Sequence, residues 1–196
     1  MLDRTTYFIR EHVGLLKFAN TYDILDPDTQ TPLGIAQEKP GTLIHVARLF
    51  LNKQLLPTQI YVYEGTDPSD GEQLLFSIHR GLTLLRSKIE IRDAQGQPVG
   101  YLQSKLLSLG GAFGVYDTAG TLVANVKGDW KGWNFKFLDQ ADQEIGTISK
   151  KWGGLGKELL TSADNYIIQL KTAPSRAKAL LLLAAGLAVD MVYGEH

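Results

Sequence analysis

Ala179-Leu180-Leu181-Leu182-Leu183-Ala184-Ala185-Gly186-Leu187-Ala188-Val189 is an unbroken apolar run, with Lys178 before it and Asp190 after it. Such a run must leave water, either into a bilayer or into the rest of its own chain. As a helix the uncharged stretch rises only about 16 Å. A hydrocarbon core is about 30 Å thick and asks for about 20 apolar residues. The run therefore reads as a helix apolar on every side, over about 175–193, which belongs inside a core. The preceding sequence must then build something able to enclose it.

A short unit recurs upstream. Ile89-Glu90-Ile91-Arg92-Asp93 passes through Ala94-Gln95-Gly96-Gln97-Pro98 into Val99-Gly100-Tyr101-Leu102. Phe113 to Asp117 passes through Thr118-Ala119-Gly120 into Thr121 to Ala124, and Phe135 to Asp139 passes through Gln140 to Gln143 into Glu144 to Ile148. An earlier copy runs from Tyr22 to Asp26, turns, and returns from Pro32 to Ala36. Each copy is an alternating strand, a polar turn opened by Asp, and a return strand. The carboxylate can accept backbone N–H groups of the turn, and Gly tolerates positive φ. Period-2 alternation buries one face. Repeated hairpins of this kind signal an all-β sandwich or barrel. Further strands are expected at 59–63, 74–78, 82–86, 156–160 and 166–170. Leu43, Val46, Ala47, Phe50 and Leu51 fall instead at helical spacing between Pro40 and Pro57, which predicts an amphipathic helix over about 41–53.

These pieces are compatible with a closed barrel. A closed sheet has no exposed edges, and a large barrel has a lumen to fill. The expected fold is all-β with a central helix. It is a closed antiparallel barrel of about twelve strands around the hydrophobic C-terminal helix, plus the short amphipathic helix, as a single domain over 1–196. Gly186 and the alanines at 184, 185 and 188 would let the strands come close.

Composition narrows the function classes. With 20 basic and 21 acidic residues the formal net charge is -1, so bulk affinity for nucleic acid is not expected. No cysteine is present, which removes disulfides, thiolate metal sites, a Cys nucleophile and palmitoylation of this chain. Met1-Leu2-Asp3-Arg4-Thr5 lacks the basic-then-apolar order of a signal peptide. The expectation is a cytoplasmic monomer, peripheral to membrane if it meets one.

Three stretches carry a resemblance to a family. They are Tyr7-Phe8-Ile9-Arg10-Glu11 with Tyr22-Asp23-Ile24-Leu25-Asp26-Pro27; Ile145-Gly146-Thr147-Ile148-Ser149-Lys150-Lys151-Trp152 running into Gly153-Gly154-Leu155-Gly156-Lys157-Glu158; and Ala163-Asp164-Asn165-Tyr166 through the apolar run to Tyr193. The chain resembles the phospholipid scramblase and LURP-one-related group, which has the Tubby C-terminal-like fold. The resemblance implies a barrel around a central hydrophobic helix, and a role near phospholipid. Two features of the family are missing. There is no Pro-rich arm with a Cys cluster. The acidic segment that the family is proposed to use for Ca²⁺ retains one carboxylate, Asp164, with Ser162 and Ala173 where the family has acids. A hard cation wants six or more oxygens, so no Ca²⁺ site is expected and Asp164-Asn165 reads as a turn into the last strand.

No catalytic constellation emerges. His12, His45, His79 and His196 are scattered, and none lies in a metal-binding string. Gly153 to Glu158 mimics a phosphate loop, but Lys151 stands where its first Gly should be and Glu158 where Ser or Thr should hold Mg²⁺. It reads as a glycine-rich turn or bulge. The stretch with most potential interleaves lysine and tryptophan: Lys127, Trp130, Lys131, Trp133, Lys136, Lys150, Lys151, Trp152 and Lys157. Indole rings sit at headgroup level, and ammonium groups pair with lipid phosphate. Related Tubby domains bind phosphoinositide headgroups through basic side chains on the barrel. The competing reading is packed tryptophans with solubilising lysines, diluted by Asp129, Asp139, Asp142 and Glu144. The expected partner is an anionic phospholipid surface; the alternative is a soluble interaction scaffold with no lipid transport. A ligand inside the lumen is disfavoured, because the helix takes that space.

Overall fold

The structure is a computed structural model that describes residues 1–12, 20–39, 57–65, 73–81, 88–104, 112–129, 133–150 and 165–193. Twelve strands follow in order: β1 (Thr6–Glu11), β2 (Thr21–Leu25), β3 (Pro32–Glu38), β4 (Thr58–Glu64), β5 (Leu74–Arg80), β6 (Lys88–Asp93), β7 (Pro98–Ser104), β8 (Ala112–Asp117), β9 (Leu122–Asp129), β10 (Asn134–Leu138), β11 (Glu144–Ser149) and β12 (Tyr166–Leu170). Among the described residues one helix, α1 (Arg176–Tyr193), follows the strands. Every strand pairs antiparallel with its neighbours in sequence, and β1 pairs with β12 to close the barrel. The seam register sets Tyr7 against Ile168 and Ile9 against Tyr166.

The alternation works as the pattern requires. On β10, Phe135 and Phe137 are fully buried while Asn134 and Lys136 are exposed. On β6, Ile89 and Ile91 point inward between Lys88 and Glu90. The outer face carries ion pairs such as Arg10–Asp23 at 2.7 Å and Arg92–Glu90 at 2.6 Å. Apolar inside and charged outside is the reverse of a membrane-spanning barrel, whose lipid-facing positions are apolar.

The barrel has two unlike ends. At the lower end strands are joined by 26–31, 65–73, 94–97, 118–121 and 139–143, and at the upper end by 12–20, 39–57, 81–87, 105–111, 130–133 and 150–165. The lower end holds the Asp-opened turns that the repeat implies. Asp93 Oδ1 accepts N–H bonds from Gln95 and Gln97, and Asp139 Oδ1 accepts them from Ala141 and Gln143. Asp26 does the same for Asp28 and Thr29, and Asp117 for Thr121. Gly96 and Gly120 take φ of 79° and 80°, the left-handed position of such a turn; Asp142 fills it at 56° in the third copy. The strand register slips by one beside these turns, between Ile24 and Leu25, Ile91 and Arg92, Val115 and Tyr116, and Phe137 and Leu138. Each slip bends and twists its strand, which helps the sheet curl closed.

Helix α1 enters at the lower end and runs toward the upper. Its eighteen residues rise about 27 Å, longer than the surrounding strands, which extend about 17–26 Å. Every side chain from Ala179 to Val189 is at most 9% exposed, and the intervening Gly186 has no room to spare. A Cβ at Gly186 would run into Ile168 of β12, so the glycine marks a place where helix and wall touch. Strands expected at 59–63, 74–78 and 166–170 are β4, β5 and β12. The expected strands at 82–86 and 156–160, and the amphipathic helix at 41–53, lie outside the described residues.

Candidate functional site

The meander brings the described edges of the two Lys/Trp stretches together. β10 lies between β9 and β11, so the connections 130–133 and 150–165 leave neighbouring strands at the same end. Their described edges are bonded: the Lys150 N–H donates to the Trp133 carbonyl at 3.3 Å, and Lys150 Nζ stands 4.4 Å from the Trp133 ring centroid. An exposed cation over an indole gains about 0.5–1 kcal/mol. Trp133 is half-buried, with its ring centroid 5.2 Å from that of Tyr166 and 6.1 Å from that of Phe135. The ring therefore packs onto the core while its neighbour Lys150 supplies the charge.

The other described lysines sit lower on the wall. Lys127 of β9 and Lys136 of β10 face each other in register. Like charges so placed repel, and each is offset by an acid: Lys127 meets Asp142 at 2.9 Å, Lys136 meets Glu144 at 2.8 Å. Lys171 joins Glu144 at 3.1 Å. Hydrogen bonds from Lys136 and then Lys171 hold the Glu144 carboxyl below its usual range. Trp130, Lys131, Lys151, Trp152, Lys157 and Asp164 lie outside the described residues. Among the described residues no three His, Cys, Asp or Glu side chains gather as metal ligands. His12 reaches Asp23 at 2.7 Å and His79 reaches Ser77 Oγ at 2.8 Å. Among the described residues no helix is long and apolar enough to cross a membrane.

Inside the upper end is a polar group that sequence reading missed. The Tyr22 hydroxyl donates to Asp190 on the last turns of α1, 168 residues away. Burial pushes the Tyr22 phenol well up, and the Asp190 charge adds to it. Tyr166 is fully buried and is pushed well up by burial, then by Asp190 and Glu11; among the described residues its hydroxyl has no hydrogen-bond partner. Tyr7, near the lower end, is raised to about 12, chiefly by burial. The one sequence signal was Asp190 itself, the first charge after the run.

The sign of the pH effect follows. Each phenol stays protonated in the folded state beyond pH 10, where the unfolded chain begins to lose its proton. Stability is fully present below about pH 10 and is lost as pH rises toward the folded values, by up to about 1.4 kcal/mol per pH unit for each withheld proton. Tyr166→Phe should flatten this alkaline slope in urea titrations between pH 9 and 11. At pH 7 it should leave stability unchanged or raised, because it removes a buried hydroxyl that makes no bond among the described residues. A marked loss at pH 7 would mean the hydroxyl is bonded.

Against known proteins, the family model described as Scramblase matches residues 16–196. No solved structure matches the chain. The closed twelve-strand barrel around a helix is the architecture the sequence resemblance implied.

Proposed function

The chain belongs to the Scramblase family, and from that membership we propose that it is a peripheral phospholipid-interacting protein that meets an anionic membrane surface with its upper end. The observation that carries the reading is the meeting of Trp133 and Lys150 at that end, where the Lys150 ammonium group lies over the indole and the Lys150 N–H donates to the Trp133 carbonyl. A half-buried indole beside an ammonium group suits the headgroup layer. Each basic residue near such a surface adds about 1 kcal/mol. The reading assigns the chain no catalytic chemistry, and places it in the cytoplasm at the membrane face.

Literal lipid transport by this chain faces an energetic obstacle. A path through the barrel requires α1 to leave. Uncovering a leucine or valine costs about 1.5–3 kcal/mol, and the run from Ala179 to Val189 holds five leucines and one valine. The sum, about 9–18 kcal/mol, is as large as a whole domain's stability of about 5–15 kcal/mol. Membrane association with the helix kept in place is therefore the form of the proposal. The second reading is a soluble interaction scaffold, favoured by the ion pairs that neutralise Lys127 and Lys136.

Flotation with vesicles separates the two. The protein should float with vesicles containing phosphatidylserine and not with phosphatidylcholine alone, and binding should fall with salt. Lys150→Ala should weaken it about fivefold, the equivalent of about 1 kcal/mol. Equal and negligible flotation with both lipids would leave the scaffold reading in its place.

A further inference from the structure

At the lower end, far from Lys150, a cleft of about 750 Å³ opens between the first turns of α1 and the hairpin turns of the barrel. Its floor is apolar. Val99 and Val123, both half-buried against the core, lie there with the buried Leu181. Its sides carry opposite charges, with Lys178 on the helix and Asp117 and Asp139 on the hairpins.

These charges are unspent. Asp117 and Asp139 each use Oδ1 to accept N–H bonds of their own turns, and among the described residues the second oxygen has no partner. Lys178 Nζ likewise has none among the described residues. Elsewhere on the barrel unlike charges meet directly, as in Lys127–Asp142 at 2.9 Å and Lys136–Glu144 at 2.8 Å. Here they face one cleft and do not meet. The first turn of α1 also contains no acidic residue, although the partial charge of its N–H groups favours one. Clefts of about 300–1,000 Å³ are the usual size for small ligands. At about 30 Å³ per water-sized group, this one takes about 25 non-hydrogen atoms.

We propose that the cleft binds a single-chain zwitterionic amphiphile: a head with one phosphate and one ammonium group, and an alkyl tail of about a dozen carbons, matched to that volume. The tail covers Val99, Val123 and Leu181. The phosphate meets the Lys178 ammonium group at the start of α1, where the Lys178 N–H already donates to Ser175 Oγ at 3.4 Å. The ammonium group meets the open oxygens of Asp117 and Asp139. A purely anionic head would leave the two carboxylates opposed, and a neutral head would use neither charge. The proposal goes beyond membrane docking and does not depend on it, since the end of the barrel and the residues differ.

Calorimetric titration of the full chain tests it, with dodecylphosphocholine below its micelle concentration as the probe. Dodecyl phosphate and dodecyl maltoside are the anionic and neutral comparisons. The zwitterion should bind at least tenfold more tightly than either. Ala177→Trp, at an exposed position lining the cleft, should fill the space and weaken binding at least tenfold. Lys178→Glu should do the same by reversing the charge. Both should keep the melting temperature of the free protein, and Lys150→Ala should leave the titration unchanged. No heat with the zwitterion, equal affinity for all three heads, or full binding by Ala177→Trp would each overturn the proposal. None of these results bears on flotation with phosphatidylserine vesicles, so the two readings fail separately.

Discussion

Leu183→Lys should leave the protein unfolded. Leu183 is 1% exposed, near the middle of α1 and inside the barrel. An ammonium group there is about 10 Å along the axis from the start of the helix and about 15 Å from its end, too deep for its stem to carry the charge fully to water. An unpaired buried charge costs several kcal/mol, and the lost leucine burial adds about 1.5–3 kcal/mol. Against a total of about 5–15 kcal/mol, little or no folded population remains. Leu183→Met, which keeps volume and polarity, should cost less than about 1.5 kcal/mol. Circular dichroism with urea titration reads both. If the lysine variant melted within a few degrees of the parent, α1 would not be the filling of the barrel.

The second large effect is expected near the C-terminal end of the same helix. Asp190 places a negative charge near the C-terminus of α1, where the helix dipole already points its negative end. The Tyr22 hydroxyl donates to it from the barrel wall. Hydrogen bonds to charged groups contribute about 1.5–3 kcal/mol, so Tyr22→Phe should destabilise the protein by about that amount. Asp190→Asn keeps an acceptor and removes the charge, and should cost less. In the double variant the two losses should fall short of their sum, because the bond is lost once. Strict additivity in urea titrations would show that Tyr22 and Asp190 do not depend on each other.

The architecture was readable where local chemistry decides it. Asp93, Asp117 and Asp139 announce their turns because one carboxylate satisfies the N–H groups that the turn leaves over. The run from Ala179 to Val189 announces a buried helix because it is too short to span a bilayer. What was not readable depends on residues distant in the chain. Nothing local in Tyr7 points to Ile168 across the seam, and nothing in Tyr22 points to Asp190. The Lys/Trp stretches were legible as composition, but their meeting at Trp133 and Lys150 needs the strand order. The ion pairs of Lys127 and Lys136 need the β10–β11 turn to carry Asp142 and Glu144 back alongside. The cleft was illegible for the same reason: Lys178 and Asp117 face a common space only after the helix has entered the barrel.

The order of the elements has a consequence for how the protein is made. The seam joins the first strand to the last, and the helix that fills the lumen follows all twelve. A nascent chain leaving the ribosome thus displays the apolar faces of its strands before their filling has been synthesised. Closure is a long-range event, and such topologies fold slowly and are open to aggregation while they wait. Translation that halts before residue 176 would yield a hollow, sticky intermediate, so the burden on cellular chaperones should fall on the interval before the final segment emerges.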